Sequence, residues 1–428
     1  MAKLNPTACR SLGAGLPAVG ASSGSPTRAG LRAAQLALSA LLLVGLPVDA
    51  QVQPAAAQPS TAGFGKRDYD FGGNAPDAGR STSADDGARN GSGTPASLHT
   101  QGVAVPRVAG RLTSKDIGLV INIADPYSVQ VGEFYVKARR LAPAQVLRVA
   151  LPVRPHLTPA EFQTLAAAIN ARFAPTVQAV ALAWTTPYAV NCNSITGAIA
   201  LGYDASLCDH GCAASRPSRY FNSATVRPYV DLKVRLSMLL AASDVATAKA
   251  MITRGVESDA TLPARNAPPV NAYFVRTNDT TRSVRSAQFP APGRLPALGV
   301  DIHVDATQAI EHKQRILLYL TGLPRVDKLD TLKWVPGALA DHLTSFGGQL
   351  EGGHEQMSAL EWIGSGATAS YGTVSEPCAH PQKFPHPQVL LLNYLQGTTA
   401  IEAYWKSVAW PQQGVFIGEP LAAPFARR

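Results

Sequence analysis

The sequence predicts an α/β protein with a mostly parallel sheet that helices cover on both faces. Apolar runs of strand length recur from residue 116 to the carboxyl end, and "DIGLVINI" (116–123) is nearly unbroken, as expected for a strand buried on both sides. Segments with apolar residues at helical spacing lie between these runs. Strands that alternate with helices indicate a parallel sheet.

The predicted strands follow in order along the chain. They lie at 116–123, 145–152, 177–188, 232–242, 271–277, 299–305, 315–323, 367–374 and 414–421, with one more ending in "GALADHLTSFGG" (337–348).

Helix starts are indicated by capping residues. Asp125 opens the first helix, and Thr158 with Glu161 forms a capping box for the second. Further helices are predicted at 245–254 and 356–366, and two more precede the last strand. Thr399 and Glu402 cap the second of these two.

The amino-terminal part is predicted to lie outside the folded domain. Two arginines precede the apolar run 36–48, and "VDA" (48–50) has the small residues of a cleavage site, so residues 1–50 indicate a signal peptide cleaved near Ala50. An uncleaved anchor is the alternative. Residues 51–112 are rich in Ala, Gly, Ser and Pro and predict a disordered linker. The α/β domain is then 113–428. This layout predicts a secreted or periplasmic protein with no transmembrane span in the mature chain.

Composition and motifs exclude several function classes. The formal charge of +9 is spread along the chain rather than gathered in a basic patch, so nucleic-acid binding is not predicted. The chain has no GxGxxG, Walker, GxSxG or HExxH motif. We therefore predict no cofactor and no metal.

The cysteines predict disulfide bonds. Removal of the leader leaves an even number, as expected for two disulfides in an oxidising compartment: Cys192, Cys208, Cys212 and Cys378. Three of them lie in a Pro- and Gly-containing insertion at about 189–230, where we expect at least one bridge. A zinc site at "CDHGC" is the alternative.

Polar residues follow several predicted strands, where α/β proteins bind ligands. Asp125 follows the first strand, and Thr186 and Asn191 follow the third. These three residues are the predicted binding residues. Helix capping and turn formation are the alternative roles for such residues.

The carboxyl-terminal third resembles a known family. "PGALADHLTSFGG", "GATASYGTVSEP" with "FPHP", "LQGTTAIEAYW" and "GEPLAAPF" are similar to an uncharacterised family of secreted bacterial proteins that is defined by a sequence model and has no assigned activity. The resemblance covers about 115–426.

More distantly, the order of elements is similar to that of gingipain-type cysteine peptidases, which implies a caspase-like three-layer architecture. The catalytic His-Gly of those enzymes falls near Thr321-Gly322 here, and their cysteine falls near Ser345. This chain therefore lacks the thiolate–imidazole pair that the chemistry needs.

A rebuilt catalytic set is the remaining enzymatic hypothesis. Its candidates are Asp341, His342 and Ser345, with Glu376 in a nearby loop. On a strand, Asp341 and Ser345 share one face and His342 lies on the other, so His342 would point away from the serine.

Two functions are therefore expected. The first is an exported, non-catalytic or degenerate caspase-like domain that binds a protein or cell-surface partner. The alternative is a hydrolase centred on 341–345 and 370–376.

Overall fold

The computed structural model describes residues 102–352 and 355–427. Their strands are β1 (Ile117–Asn122), β2 (Val146–Val149), β3 (His156–Leu157), β4 (Ala179–Leu182), β5 (Ala189–Val190), β6 (Asn193–Ser194), β7 (Leu236–Leu239), β8 (Val270–Arg276), β9 (Gly293–Leu295), β10 (Val300–Ala306), β11 (Ile316–Gly322), β12 (Trp334–Leu343), β13 (Ala369–Thr373) and β14 (Gly414–Gly418). The helices are α1 (Pro126–Arg139), α2 (Pro159–Arg172), α3 (Ile195–Leu201), α4 (Ser206–Asp209), α5 (Pro228–Leu232), α6 (Val245–Ser258), α7 (Leu360–Ser365), α8 (Pro387–Leu395) and α9 (Ala400–Ser407).

One large sheet organises this part of the chain. Its strand order is β2-β1-β4-β7-β14-β13-β12-β11-β8-β10-β9. All neighbours are parallel except at β13–β14 and at the edge pair β9–β10. The antiparallel β13–β14 pair divides the sheet into two halves whose strands run in opposite directions, apart from the edge strand β9. The α/β class with a large, mostly parallel sheet flanked by helices is confirmed.

The interior strands are apolar because helices cover both sides of the sheet. β1, β4, β7, β11, β13 and β14 are buried at every position. Helices α1 and α6 pack against each other, and α6 also contacts β12, whereas α3 and α9 contact β7. The caspase-like arrangement stays a prediction.

The helix caps predicted from the sequence are present in the structure. The Asp125 carboxylate accepts from the Tyr127 amide at 2.9 Å and caps α1. Thr158 with Glu161 caps α2, and Thr399 with Glu402 caps α9, each pair forming a reciprocal capping box.

The insertion is more regular than its composition suggests. It contributes α3, α4 and α5, and its strands β5 and β6 form a three-stranded sheet with β3. Both expected cysteine pairs lie at disulfide distance, and one of them lies within the insertion. Cys192 pairs with Cys208, and Cys212 pairs with Cys378 beyond β13.

Residues 102–112, assigned to the linker from composition, contact the folded domain. The Val103 amide donates to the Gln388 side chain of α8, and the Val108 amide donates to the side chain of Gln396, the residue after α8. The Leu112 amide donates to the Glu402 side chain of α9. Leu112 is buried. The folded part thus begins earlier than the predicted boundary at 113. The signal peptide and the rest of the linker, residues 1–101, lie outside the described residues. Within the described ranges, no helix has the length and apolar character needed to cross a membrane.

Candidate functional site

Asp341 and His342 lie side by side near the end of β12 and face opposite layers. Their side chains alternate because successive strand residues point to opposite faces. Asp341 contacts Arg285, in the 3-10 helix Arg282–Gln288, whereas His342 contacts Trp362 of α7. The predicted alternation therefore separates these two side chains.

The His342 imidazole is held inside the core. Its Nδ1 accepts a hydrogen bond from Trp362 Nε1 at 2.9 Å, so the proton resides on Nε2, which donates to the Met357 carbonyl at 3.1 Å. Only 1% of the residue is exposed. Burial, with the positive charge of Arg285 as a second cause, lowers the His342 pKa to about 3. Both ring nitrogens are occupied, so His342 is not placed to take a proton from Ser345.

Asp341 forms a buried ion pair. Its Oδ1 lies 2.7 Å from Arg285 Nη2, and both side chains are almost fully covered. Burial raises the Asp341 pKa, and Arg285 opposes this. Arg285 also donates to the Thr321 carbonyl at 2.8 Å. The pair ties β12 and β11 to the 3-10 helix, and it is closed to a substrate.

Ser345 and Glu376 do meet in a cavity of about 240 Å³, which we call the Ser345 cavity. Arg282 and Cys378 also line it. Glu376 is exposed and accepts from the Cys378 amide at 2.7 Å, whereas Thr373 Oγ1 donates to the Ser345 carbonyl at 2.9 Å. Of the four predicted catalytic residues, the structure thus brings these two together and leaves Asp341 and His342 in the core.

A second, larger space lies at the carboxyl ends of β1, β4 and β7, and we call it the carboxyl-end cleft. Its volume is about 490 Å³. The predicted binding residues Asp125 and Thr186 both line it. The opposite wall comes from the connection between β12 and β13, including Glu351 and Glu361. Val153, on the rim, is 54% exposed.

Asn191 lies elsewhere. It has a left-handed backbone (φ 48°) in the turn between β5 and β6, and its Nδ2 donates to the Tyr203 hydroxyl at 3.2 Å. This geometry fits the turn-forming alternative, because Asn tolerates positive φ.

Sequence reasoning missed the partners that define these sites. Arg282 and Arg285 lie in a stretch without strand or helix periodicity, and no signal marked them. Tyr127 is also part of the carboxyl-end cleft, and it donates to the Leu240 carbonyl at 2.9 Å. Tyr127 lies only two residues after the capping Asp125, and this proximity was the signal that could have placed it in the cleft.

Within residues 102–352 and 355–427, no group of three or more His, Cys, Asp or Glu side chains is arranged to hold a metal ion. No protein-family model matches the chain, and a search of curated proteins returns no match.

Proposed function

We propose that this protein is an exported, non-catalytic domain that binds a protein partner in the carboxyl-end cleft. The observation that carries the proposal is the lining of this cleft. Among the described residues, its lining contains three carboxylates and no Lys, Arg or His: Asp125, Glu351 and Glu361. Apolar side chains of Val153, Leu350 and Leu360 lie beside them.

The chemistry of the lining favours a basic segment of the partner. Glu361 already binds Arg325 at 3.2 Å, and Asp125 is only 8% exposed and caps α1, so the exposed Glu351 is the carboxylate most accessible to a ligand. A lysine or arginine side chain suits such a cleft, since its aliphatic stem packs on apolar surface while its charged end meets the carboxylates. Val153, at the rim, adds exposed apolar surface on which such a stem can pack.

Export is part of the proposal. The leader-like pattern before Ala50 and the two cysteine pairs at disulfide distance support it, because disulfides persist in oxidising compartments. The caspase-like resemblance is a proposal on the same footing. It rests on the order of elements and on the closing strand "FIGEPL".

Matched peptide sets test the binding proposal. Short peptides with Lys, Arg, Gln or Glu at one central position, flanked by apolar residues, are titrated into the labelled domain. We expect saturable binding of the Lys and Arg members, at least tenfold tighter than the Gln and Glu members. This binding should weaken with salt because Glu351 is solvent-exposed.

Two charge-introducing variants locate this binding. Val153→Lys places a cation on the cleft rim, whereas Val304→Lys changes a valine that is 38% exposed on β10. Binding of the basic peptides should fall at least fivefold in the first variant and stay unchanged in the second. Equal binding of all four peptide sets, or an unchanged affinity in Val153→Lys, contradicts the proposal. Tighter binding of a neutral polysaccharide than of any peptide favours a cell-surface polymer instead.

The hydrolase is a second candidate because the Ser345 cavity holds a serine hydroxyl beside an arginine and a carboxylate. It needs a general base to activate the hydroxyl, and His342 is engaged by Trp362 and Met357. A fluorophosphonate probe that labels active serines is expected to leave the wild type unlabelled. Stoichiometric labelling of Ser345 that is lost in His342→Ala favours the hydrolase.

A further inference from the structure

A separate cavity of about 240 Å³ lies between α2, α3, α5 and the start of β7. Its polar lining comes from Asn170, Tyr229, Lys233 and Arg235, and its apolar lining includes Ile169 and Ile199. We call it the Arg235 cavity. Two of these side chains are cations, and no Asp or Glu lines the space.

Arg235 is buried without an acidic partner. The residue is 3% exposed, and among the described residues no carboxylate pairs with its guanidinium. Its Nη1 and Nη2 make long hydrogen bonds to the carbonyls of Ile169 (3.5 Å) and Phe173 (3.3 Å), and its Nε has no hydrogen-bond partner. Stacking on Tyr229, at 3.8 Å from the ring centre, is its closest other interaction. Burial lowers the Arg235 pKa, with Tyr229 opposing.

Other buried arginines of this protein do have acidic partners. Arg139 lies 2.6 Å from Glu419, and Arg285 lies 2.7 Å from Asp341. A buried charge costs free energy unless it is paired. The two paired arginines follow this rule. Among the described residues Arg235 has no carboxylate within ion-pair distance, and its carbonyl contacts are long, whereas the buried Lys383 and Lys406 donate to carbonyls at 2.9 Å or less.

Lys233 adds a second positive charge to the same cavity. Its Nζ makes a weak hydrogen bond to the Val230 carbonyl at 3.4 Å and lies 5.8 Å from the centre of the Tyr229 ring. The nearest acidic residue along the chain, Asp231, contacts Arg227 and Thr225 instead. The cavity therefore has two cations available for an incoming group.

We propose that the Arg235 cavity binds an oxyanion, either a carboxylate or a phosphate, on a small ligand with an apolar body. The oxyanion would meet the charged Arg235 guanidinium and accept from Lys233, and the apolar body would pack on Ile169 and Ile199. This site is separate from the carboxyl-end cleft and does not depend on the function proposed for it.

Capping of α2 is the competing role for Arg235, because both of its acceptors are carbonyls at the end of that helix. Arg254 offers a direct comparison. Among the described residues it also lacks an acidic partner, and its Nε, like that of Arg235, has no hydrogen-bond partner. It donates to the Ile363 and Ala367 carbonyls beside the end of α7 at 3.1 and 3.0 Å. Those bonds are shorter, and Arg254 is not among the residues that line the Arg235 cavity. Arg254→Met is therefore a matched control.

Calorimetric titration of the full chain tests the proposal with benzoate, inorganic phosphate and benzamide. Benzoate and benzamide share shape, but only benzoate is charged. We expect one saturable site for at least one of the two anions and none for benzamide. Preference between benzoate and phosphate identifies the kind of oxyanion.

The variants tie this binding to the cavity. Arg235→Met should weaken anion binding at least tenfold, Lys233→Gln at least threefold, and Arg254→Met not at all. Because Lys233 is exposed, Lys233→Gln keeps the test valid even if Arg235→Met fails to fold. Absence of saturable binding of both anions to the wild type overturns the proposal, and so does binding that is unchanged in Lys233→Gln.

Discussion

His342 makes the stability of this protein depend on pH, and His342→Gln measures that dependence. The imidazole has a folded-state pKa of about 3, lowered chiefly by burial. In the unfolded chain the pKa of histidine is about 6.5. Between these two values the unfolded chain binds a proton that the folded protein excludes. Above about pH 6.5, His342 therefore does not lower the free energy of unfolding. As the pH falls from that value toward 3, the unfolded chain takes up a proton and the free energy of unfolding decreases.

The size of the loss follows from the two pKa values. Each pH unit within this window changes the free energy of unfolding by about 1.4 kcal/mol. From pH 7 to pH 5 the unfolded histidine becomes almost fully protonated, while the folded one stays neutral. The wild type should lose about 2 kcal/mol from this residue alone. Gln at 342 does not titrate, so the cost of His342→Gln should be about 2 kcal/mol smaller at pH 5 than at pH 7.

Urea unfolding of both proteins at the two pH values checks this prediction. The contributions of His156 and His386, whose pKa values are also lowered by burial, cancel in the comparison because both proteins retain them. Near-ultraviolet circular dichroism verifies that Trp362 keeps its environment in the variant. A cost of His342→Gln that is the same at pH 5 and pH 7 would refute the assignment of His342 as a neutral, buried group.

Two further predictions concern the cross-links and the packing beside the Ser345 cavity. Peptide mapping without reduction should recover Cys192 with Cys208 and Cys212 with Cys378, with no free thiol among the four; a Cys208–Cys212 bridge contradicts the structure. Gly372→Ala should cost about 1–3 kcal/mol in urea unfolding, because its Cβ would lie 2.4 Å from the backbone of Gly347 and Gly348. Gly364→Ala in α7 is the control. The added Cβ meets open space, so this substitution should raise the free energy of unfolding by about 0.4–1 kcal/mol. Equal effects of the two substitutions contradict this packing.

Features encoded by neighbouring residues were predictable from the sequence. The Thr158–Glu161 and Thr399–Glu402 boxes need only residues three positions apart, so the pattern identifies the helix starts directly. The fully buried strands were predictable for a related reason: a strand covered on both faces is apolar at consecutive positions.

Contacts between distant segments were not predictable in the same way. The antiparallel β13–β14 pair depends on where the last strand inserts, and apolar runs are alike in both strand directions. Residues 102–112 continue a segment rich in Ala, Gly, Ser and Pro, and they show no strand or helix periodicity, so the sequence assigns them to the linker. They are nevertheless bound through backbone amides to Gln388, Gln396 and Glu402, a kind of contact that composition does not record.

Asp341 and His342 show why residue type alone is weak evidence for a catalytic role. A buried carboxylate and a buried imidazole need polar partners whether they react or not. Arg285, Trp362 and the Met357 carbonyl supply those partners here, and the resulting contacts close both groups to a substrate. Exposure separates the two roles, because a reacting group must be reached. Polar groups that do line open space are Ser345 and Glu376 in one cavity and Asp125 and Thr186 in the carboxyl-end cleft. Among the described residues, the titratable groups of the predicted sites that line open space are thus carboxylates, and the predicted histidine is in the core.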